Sequence, residues 1–275
     1  MSKQRNILDK ILLGTTWLFA AVTLTALFSI ILYVLISGVP HLRPSLFDPH
    51  FTTENQSMFP AIISTVAVVT LTLTFAVPIG VFTSIYLVEY TKRGNKFVGI
   101  IRSATEMLAG IPSIVYGLFG MLFFVGFLGL SFSLIAGALT LTIMILPLVI
   151  RTTEEALKSV PDGYREGAFA LGSGKLRAVF RVVLPSAMPG ILAGVILATG
   201  RIVGETAALI FTAGSVAQLP SSLTSSVRTL AVHMWQLSTE GHFVHEAHAT
   251  AVILLLIVLC INTFSAFVAK RITKG

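Results

Sequence analysis

The chain has 275 residues, 55% of them hydrophobic and only 11% charged, where a soluble domain carries about 25%. Nineteen Lys and Arg against twelve Asp and Glu leave a net charge of +7, and the single cysteine is Cys260. A soluble enzyme, a disordered segment and a disulfide scaffold are excluded, and a membrane protein is indicated, with the basic excess serving the positive-inside rule.

A helix of roughly 20 apolar residues crosses about 30 Å of hydrocarbon. The first such run, 11–36, is longer than the ~7–15 residues of a signal-peptide core and lacks a small-x-small cleavage site, so it reads as a retained span. The second is 61–88. No charged residue occurs from Met107 to Ile150, which fits two spans, 107–129 and 132–150, folded back at Gly129-Leu130-Ser131, with Pro112 near the start of the earlier one. The fifth, 187–213, contains Arg201 and Glu205, and the sixth is 250–269. The expected fold is an all-α integral membrane protein with six transmembrane helices. Residues 1–59 form an N-terminal tail, first span and external loop, and 60–270 form the core.

Sixteen of the nineteen basic residues fall on one side of these spans. They precede span one, separate two from three and four from five, and follow six. Arg43 and Arg228 lie opposite, and Arg201 lies within a span. Both termini are therefore expected in the cytoplasm. The largest cytoplasmic piece is 151–185.

In that loop, Thr152-Thr153-Glu154-Glu155 reads as a capping box opening a short helix, Ser159-Val160-Pro161-Asp162 restarts the chain, and Gly172 ends the helix that follows. Helix resumes over Lys175 to Val183. Such a loop is either a docking surface or a solvated connector whose basic residues touch lipid headgroups. Gly172-Ser173-Gly174-Lys175 is not a Walker A loop, because Phe169 and Leu176 stand where Gly and Ser or Thr are needed.

Within the fifth span, Arg201 and Glu205 are spaced i, i+4. They share a stripe with Gly190, Gly194 and Ala208, small at its start and charged at its centre. An intramembrane Arg costs about 2.5–3.5 kcal/mol on insertion scales and is a functional candidate by default. Arg201 and Glu205 form either a self-neutralising pair or a site in which the guanidinium offers donors to an oxyanion while Glu205 holds it when the path is empty. Arg102 and Glu106 read as an interfacial pair leading into span three, and Asn262 as a helix-to-helix hydrogen bond. His242, His245 and His248, beside Glu246, could share a helical face. That leaves open a different-class reading, an intramembrane metalloenzyme, although His245-Glu246-Ala247-His248 is not H-E-x-x-H.

The segment Glu166-Gly167-Ala168, three residues, Gly172, nine residues, Val182, one residue, Leu184-Pro185 resembles the EAA motif, E-A-A-x3-G-x9-I-x-L-P, of permease subunits of bacterial ABC importers. Gly167 and Val182 depart from it conservatively. In that family the loop seats in a groove of a cytoplasmic ATPase, so the resemblance implies ATPase coupling through Glu166, Gly167, Ala168, Gly172, Leu184 and Pro185. Arg201-Ile202-Val203-Gly204-Glu205-Thr206-Ala207 resembles the R-x-x-G-E-T-A segment of phosphate ABC permeases. Ile85 to Tyr90, Leu108 to Gly117 and Arg151 to Leu157 are similar to parts of the PstA-type subunit. The resemblance implies a type I, MetI-like permease core in a bacterial inner membrane, with Arg201, Gly204, Glu205 and Thr206 on the substrate path. It also implies a PstC-type permease, a PstB-type ATPase pair and a PstS-type phosphate-binding protein as partners. No cofactor, metal or catalytic residue is implied. A permease of this architecture for sulfate or molybdate remains the alternative.

Overall fold

The computed structural model describes residues 2–91 and 94–272, with side chains over 9–91 and 94–267. Lys92, Arg93 and Lys274, and the side chains of Lys3, Arg5, Lys270 and Arg271, which help orient the chain by sequence, lie outside the described residues.

Backbone polar groups facing hydrocarbon must be satisfied within their own segment, and helices dominate accordingly. In chain order they are α1 (Ser2–Gly38), α2 (Phe59–Ile85), α3 (Lys96–Ala109), α4 (Ser113–Gly120), α5 (Leu134–Lys158) and α6 (Asp162–Ala170). There follow α7 (Lys175–Ala178), α8 (Leu184–Val203), α9 (Ala207–Ile210), α10 (Leu230–Glu240) and α11 (Val244–Ile272). Among the described residues five helices are long and apolar enough to cross a membrane, and six if the bent pair Lys96–Ala109 and Ser113–Phe127 counts as one span.

The centre is α5 packed between α2 and α8. Leu141, Met144 and Ile145 of α5 meet Val68 and Ala76 of α2 and Ile202 of α8, all buried. Ser84 Oγ of α2 donates to the Ile150 carbonyl of α5 at 2.8 Å, and Thr142 Oγ1 donates to Thr72 O at 3.4 Å. Hydroxyls of this kind join helices where lipid removes the hydrophobic drive to associate. α1 stands at the periphery and packs chiefly on α11, with Gly38 against His248 and Val252. Its Trp17 and Phe19 are exposed, as lipid-facing side chains are.

Three spans have boundaries well away from the sequence reading. The third span does not start at Met107: the chain bends by 101° between α3 and the helix Ser113–Phe127. Pro112 lacks an N–H and drives the preceding residue out of helical geometry, so the break falls just before it. The fourth helix does not stop near Ile150. α5 runs on to Lys158, and Thr152 is no cap: its Oγ1 bonds back to Leu148 O at 2.9 Å in mid-helix. Ala156 and Leu157 continue the buried face there, and packing outweighs the local cap signal.

The fifth span is displaced toward the N-terminus at both ends. One helix runs Lys175–Val203, through a π-helical segment Val179–Val183, and ends ten residues short of 213. Gly204 caps it. Beyond lie α9 and an irregular segment, 211–229, that folds back onto the start of α5. Ser133, Leu134 and Ile135 donate their N–H groups to Thr212, Ser225 and Leu223 at 3.0, 2.9 and 2.9 Å. These are helix-start donors with no intrahelical acceptor, and irregular backbone is tolerated where protein buries it. Gly117 makes room on α4: a Cβ there would stand 2.9 Å from Ala208 Cα of α9.

Candidate substrate path and coupling surface

α6 begins after Pro161 and stops at Ala170, and Gly172 then turns the chain with φ +77°, a left-handed conformation that glycine adopts without a Cβ clash. Glu166 and Gly167 are exposed on α6 and Ala168 is buried. At the tip Leu171 is 89% exposed, flanked by exposed Tyr164, Phe169 and Leu176. This apolar cap surrounds the motif glycine. Leu184, at the start of α8, packs beside Val183 onto Ile85 of α2 and Leu157 of α5, while Pro185 is exposed.

The residue that ties this loop to the spans is Arg165, to which the motif assigns no role. Its Nη2 lies 2.7 Å from Glu89 Oε1, beyond the end of α2, and donates to Leu157 O of α5 at 2.9 Å. Nη1 donates to Val160 O at 2.8 Å and Asp162 Oδ1 at 3.3 Å. Both members of the Arg165–Glu89 pair are largely shielded, with side chains 16% and 8% exposed. The only hint in sequence is a lone Glu after an apolar run. The two residues are 76 positions apart, and no local pattern connects them.

Arg201 lies in the last turn of α8 and is exposed. It does not pair with Glu205. The helix ends between them, so the i, i+4 relation that placed both on one face no longer holds. Glu205 is buried, and its Oε1 accepts the Ala208 N–H at 3.1 Å, anchoring the first turn of α9. Thr206 Oγ1 donates to Gly204 O at 3.5 Å, and Gly204 is exposed. The small part of the stripe behaves as read: Gly190 and Gly194 lie against Ala156 and Thr152 of α5. The Arg201 guanidinium has no hydrogen-bonding or ion-pair partner among the described residues.

Two clefts meet Arg201. One, of about 320 Å³, lies between α3 and α5 and is also lined by Arg102, Glu106, Glu154 and Lys158. The other, of about 750 Å³, opens beside α8 and α11 along Leu197, Gly200 and Asn262. Arg102 pairs not with Glu106 but with buried Glu154 on α5, which also holds Lys158 Nζ at 2.8 Å. Asn262 Oδ1 is buried with no hydrogen-bond partner among the described residues, so the expected helix-to-helix bond is not made within this chain.

The three histidines do not converge. His245 stacks on His41 with centroids 4.2 Å apart, His248 meets the Tyr33 ring edge-on at 5.8 Å, and His242 is exposed. No group of three His, Cys, Asp or Glu among the described residues could hold a metal ion. A different histidine, His233 on α10, is fully buried. Burial foremost, then the Arg228 charge, lowers its pKa to about 4 against an opposing effect of the Gln56 backbone. Arg228 Nη1 stands 3.3 Å from His233 Nδ1, and its guanidinium lies over the Phe51 ring at 5.2 Å.

The architecture and sequence can be set beside known proteins. Residues 76–275 match the family model described as binding-protein-dependent transport system inner membrane component. A Bacillus subtilis strain 168 protein named probable ABC transporter permease protein YqgI is 35% identical, with 98% of each chain covered. The Haemophilus influenzae phosphate transport system permease protein PstA is 33% identical over 95% of this chain and 93% of its own. A permease chain in the crystal structure of a bacterial alginate ABC transporter superposes with TM-score 0.71 at 16% identity, covering 100% of this chain and 99% of that one. With these spans, this broken fifth helix and a match over most of its length, the chain belongs to the binding-protein-dependent transport system inner membrane components, the permease subunits of ABC importers.

Proposed function

We propose that this chain is the PstA-type permease of an ATP-driven importer of inorganic phosphate. In this reading 60–270 forms the transport core, with α1 peripheral and both termini cytoplasmic. A PstC-type permease supplies the other half of the path, a PstS-type protein delivers phosphate from outside, and a separate PstB-type ATPase pair hydrolyses ATP. The observation that carries the reading is Arg201: a guanidinium at a helix break, without a hydrogen-bonding or ion-pair partner among the described residues, lining two clefts. A planar, permanently charged donor set suits an oxyanion, and a path residue left unpaired can bind its substrate without first breaking an ion pair. Glu205 is assigned a different role from the clasp expected by sequence: it sets α9, and with it the Gly204–Thr206 break that aims Arg201.

Coupling is assigned to the α6 tip. Leu171, Phe169 and Gly172 fill the ATPase groove, and movement there passes to the spans through Arg165. The family relation to PstA proteins supports phosphate over other oxyanions.

The test is labelled phosphate uptake under phosphate scarcity, in cells lacking this gene and any second phosphate system, complemented with wild type or Arg201→Ala. Rescue by wild type alone, at equal membrane levels, is the expected result. Normal uptake by Arg201→Ala removes Arg201 from the path. Failure of wild type to restore phosphate uptake, with uptake of labelled sulfate or molybdate instead, replaces the substrate.

A further inference from the structure

We infer that Arg102 and Lys158, held by Glu154, form a second oxyanion site, from which the transported anion leaves toward the cytoplasm; the inference rests on the phosphate reading above. Two cations from different elements, α3 and α5, converge on one carboxylate that is itself 9% exposed, while Arg102 and Lys158 remain 42% and 50% exposed toward the cleft. The cluster keeps a net charge of +1. Arg102 Nε is buried and has no hydrogen-bond partner among the described residues, so the guanidinium is not saturated by Glu154. The same cleft is lined by Arg201, and its volume of about 320 Å³ would hold roughly ten waters at ~30 Å³ each, ample for a hydrated tetrahedral oxyanion.

The physical logic is that of any multi-site path: each site must attract the ion enough to admit it and hold it weakly enough to release it. Arg201 has no ion-pair partner among the described residues and is the tighter station. At the second station the bound anion competes with Glu154 for the same donors, which weakens the hold and lets the anion go. Glu154 is thus a built-in competitor. Removing it should strengthen anion retention, while removing the cations should weaken it.

Opposite signs separate this from a bridge that only fixes α3 to α5. The importer, purified through this chain with its ATPase and partner permease, is reconstituted in proteoliposomes with ATP and graded unlabelled inorganic phosphate enclosed. Binding protein and labelled phosphate are placed outside, and chloride holds the ionic strength constant. The readout is the enclosed phosphate concentration that halves initial uptake. Glu154→Gln should lower that concentration and the double variant Arg102→Gln with Lys158→Gln should raise it, each by about three- to five-fold, the scale of a half-exposed charge pair. Arg102→Lys, which keeps the charge, should stay near wild type. If Glu154→Gln does not assemble, Glu154→Asp, with its shorter reach, is read in its place with the same sign. Shifts in the same direction, no shift in either, or no inhibition of the wild type overturns the release site alone. No ATP-driven phosphate uptake by the wild type overturns the substrate reading and this inference with it.

Discussion

Arg165 illustrates how much a single side chain can carry in this protein. Its guanidinium joins the end of α2, the last carbonyls of α5 and the start of α6, and it is shielded enough for its charge to need a partner. Glu89→Gln keeps the shape but removes the carboxylate. It should destabilise the purified subunit by about 2–3 kcal/mol, less than the ~3–5 of a fully stranded buried charge because two carbonyls and Asp162 remain. Thermal unfolding in detergent measures this, and a loss below ~0.5 kcal/mol would mean that Arg165 does not hold the loop through Glu89. His233 makes a second prediction with a sign. Its folded pKa, about 4, lies below the ordinary value of 6.5, so the unfolded chain binds the extra proton first. The neutral ring contributes stability that is fully present above pH 6.5 and is lost as pH falls toward 4, by at most about 3 kcal/mol. Unfolding midpoints taken between pH 7 and 4.5 should fall in wild type and flatten in His233→Gln. Equal slopes would show that another group titrates.

At the scale of elements, the tip between α6 and α7 separates two contributions that sequence merges into one motif. Gly172 supplies a backbone conformation, and Leu171 supplies an exposed apolar surface. Gly172→Val forces a β-branched residue to φ +77° and should strain the turn by about 1–2 kcal/mol, loosening the tip and its grip on the ATPase together. Leu171→Glu touches nothing buried and should leave thermal stability unchanged while abolishing ATPase co-purification. Retained ATPase with Leu171→Glu would place docking elsewhere on the loop. The helix boundaries teach a related lesson. Hydropathy found an apolar helix for each expected span, yet it placed the third span's start six residues early and the fifth span's end ten residues late, because a transfer free energy is blind to where the backbone must bend. Pro112 was visible in sequence near the start of that span, though not as its boundary. The end at Gly204 was not, since the apolar run resumes at Ala207 as if one helix continued, and the turn is stabilised by α9 docking on Gly117.

For the whole molecule, the open face is informative. Leu197 is 59% exposed beside Gly200, Arg201 and Asn262, whose buried Oδ1 has no hydrogen-bond partner among the described residues, all lining one cleft on α8 and α11. On the proposed reading, a second permease covers that face. Leu197→Cys, in a Cys260→Ser background because Cys260 is the one native thiol and is exposed, should cross-link to the partner permease with a short bifunctional reagent. Cross-linking only to a second copy of this chain would make the assembly symmetric, and none at all would place the interface on another face.

Membrane character, the family and the glycine turn of the EAA-like loop were legible in the sequence. Each depends on transfer free energy, a local motif or a local glycine conformation, all properties of contiguous residues. Arg201 was legible as an intramembrane charge, and its lack of a partner among the described residues was not: the local spacing offered Glu205, and only the helix break, which sends Glu205 to the Ala208 N–H, took that partner away. The same holds for Arg102, which looked to Glu106 four residues on and is held by Glu154 on another helix. Helical periodicity pairs neighbours only while the helix lasts and nothing stronger stands across from it. Which charges meet was decided by the tertiary packing, because a carboxylate shielded from water gains more from a distant cation brought into contact than from a nearby one left in solvent.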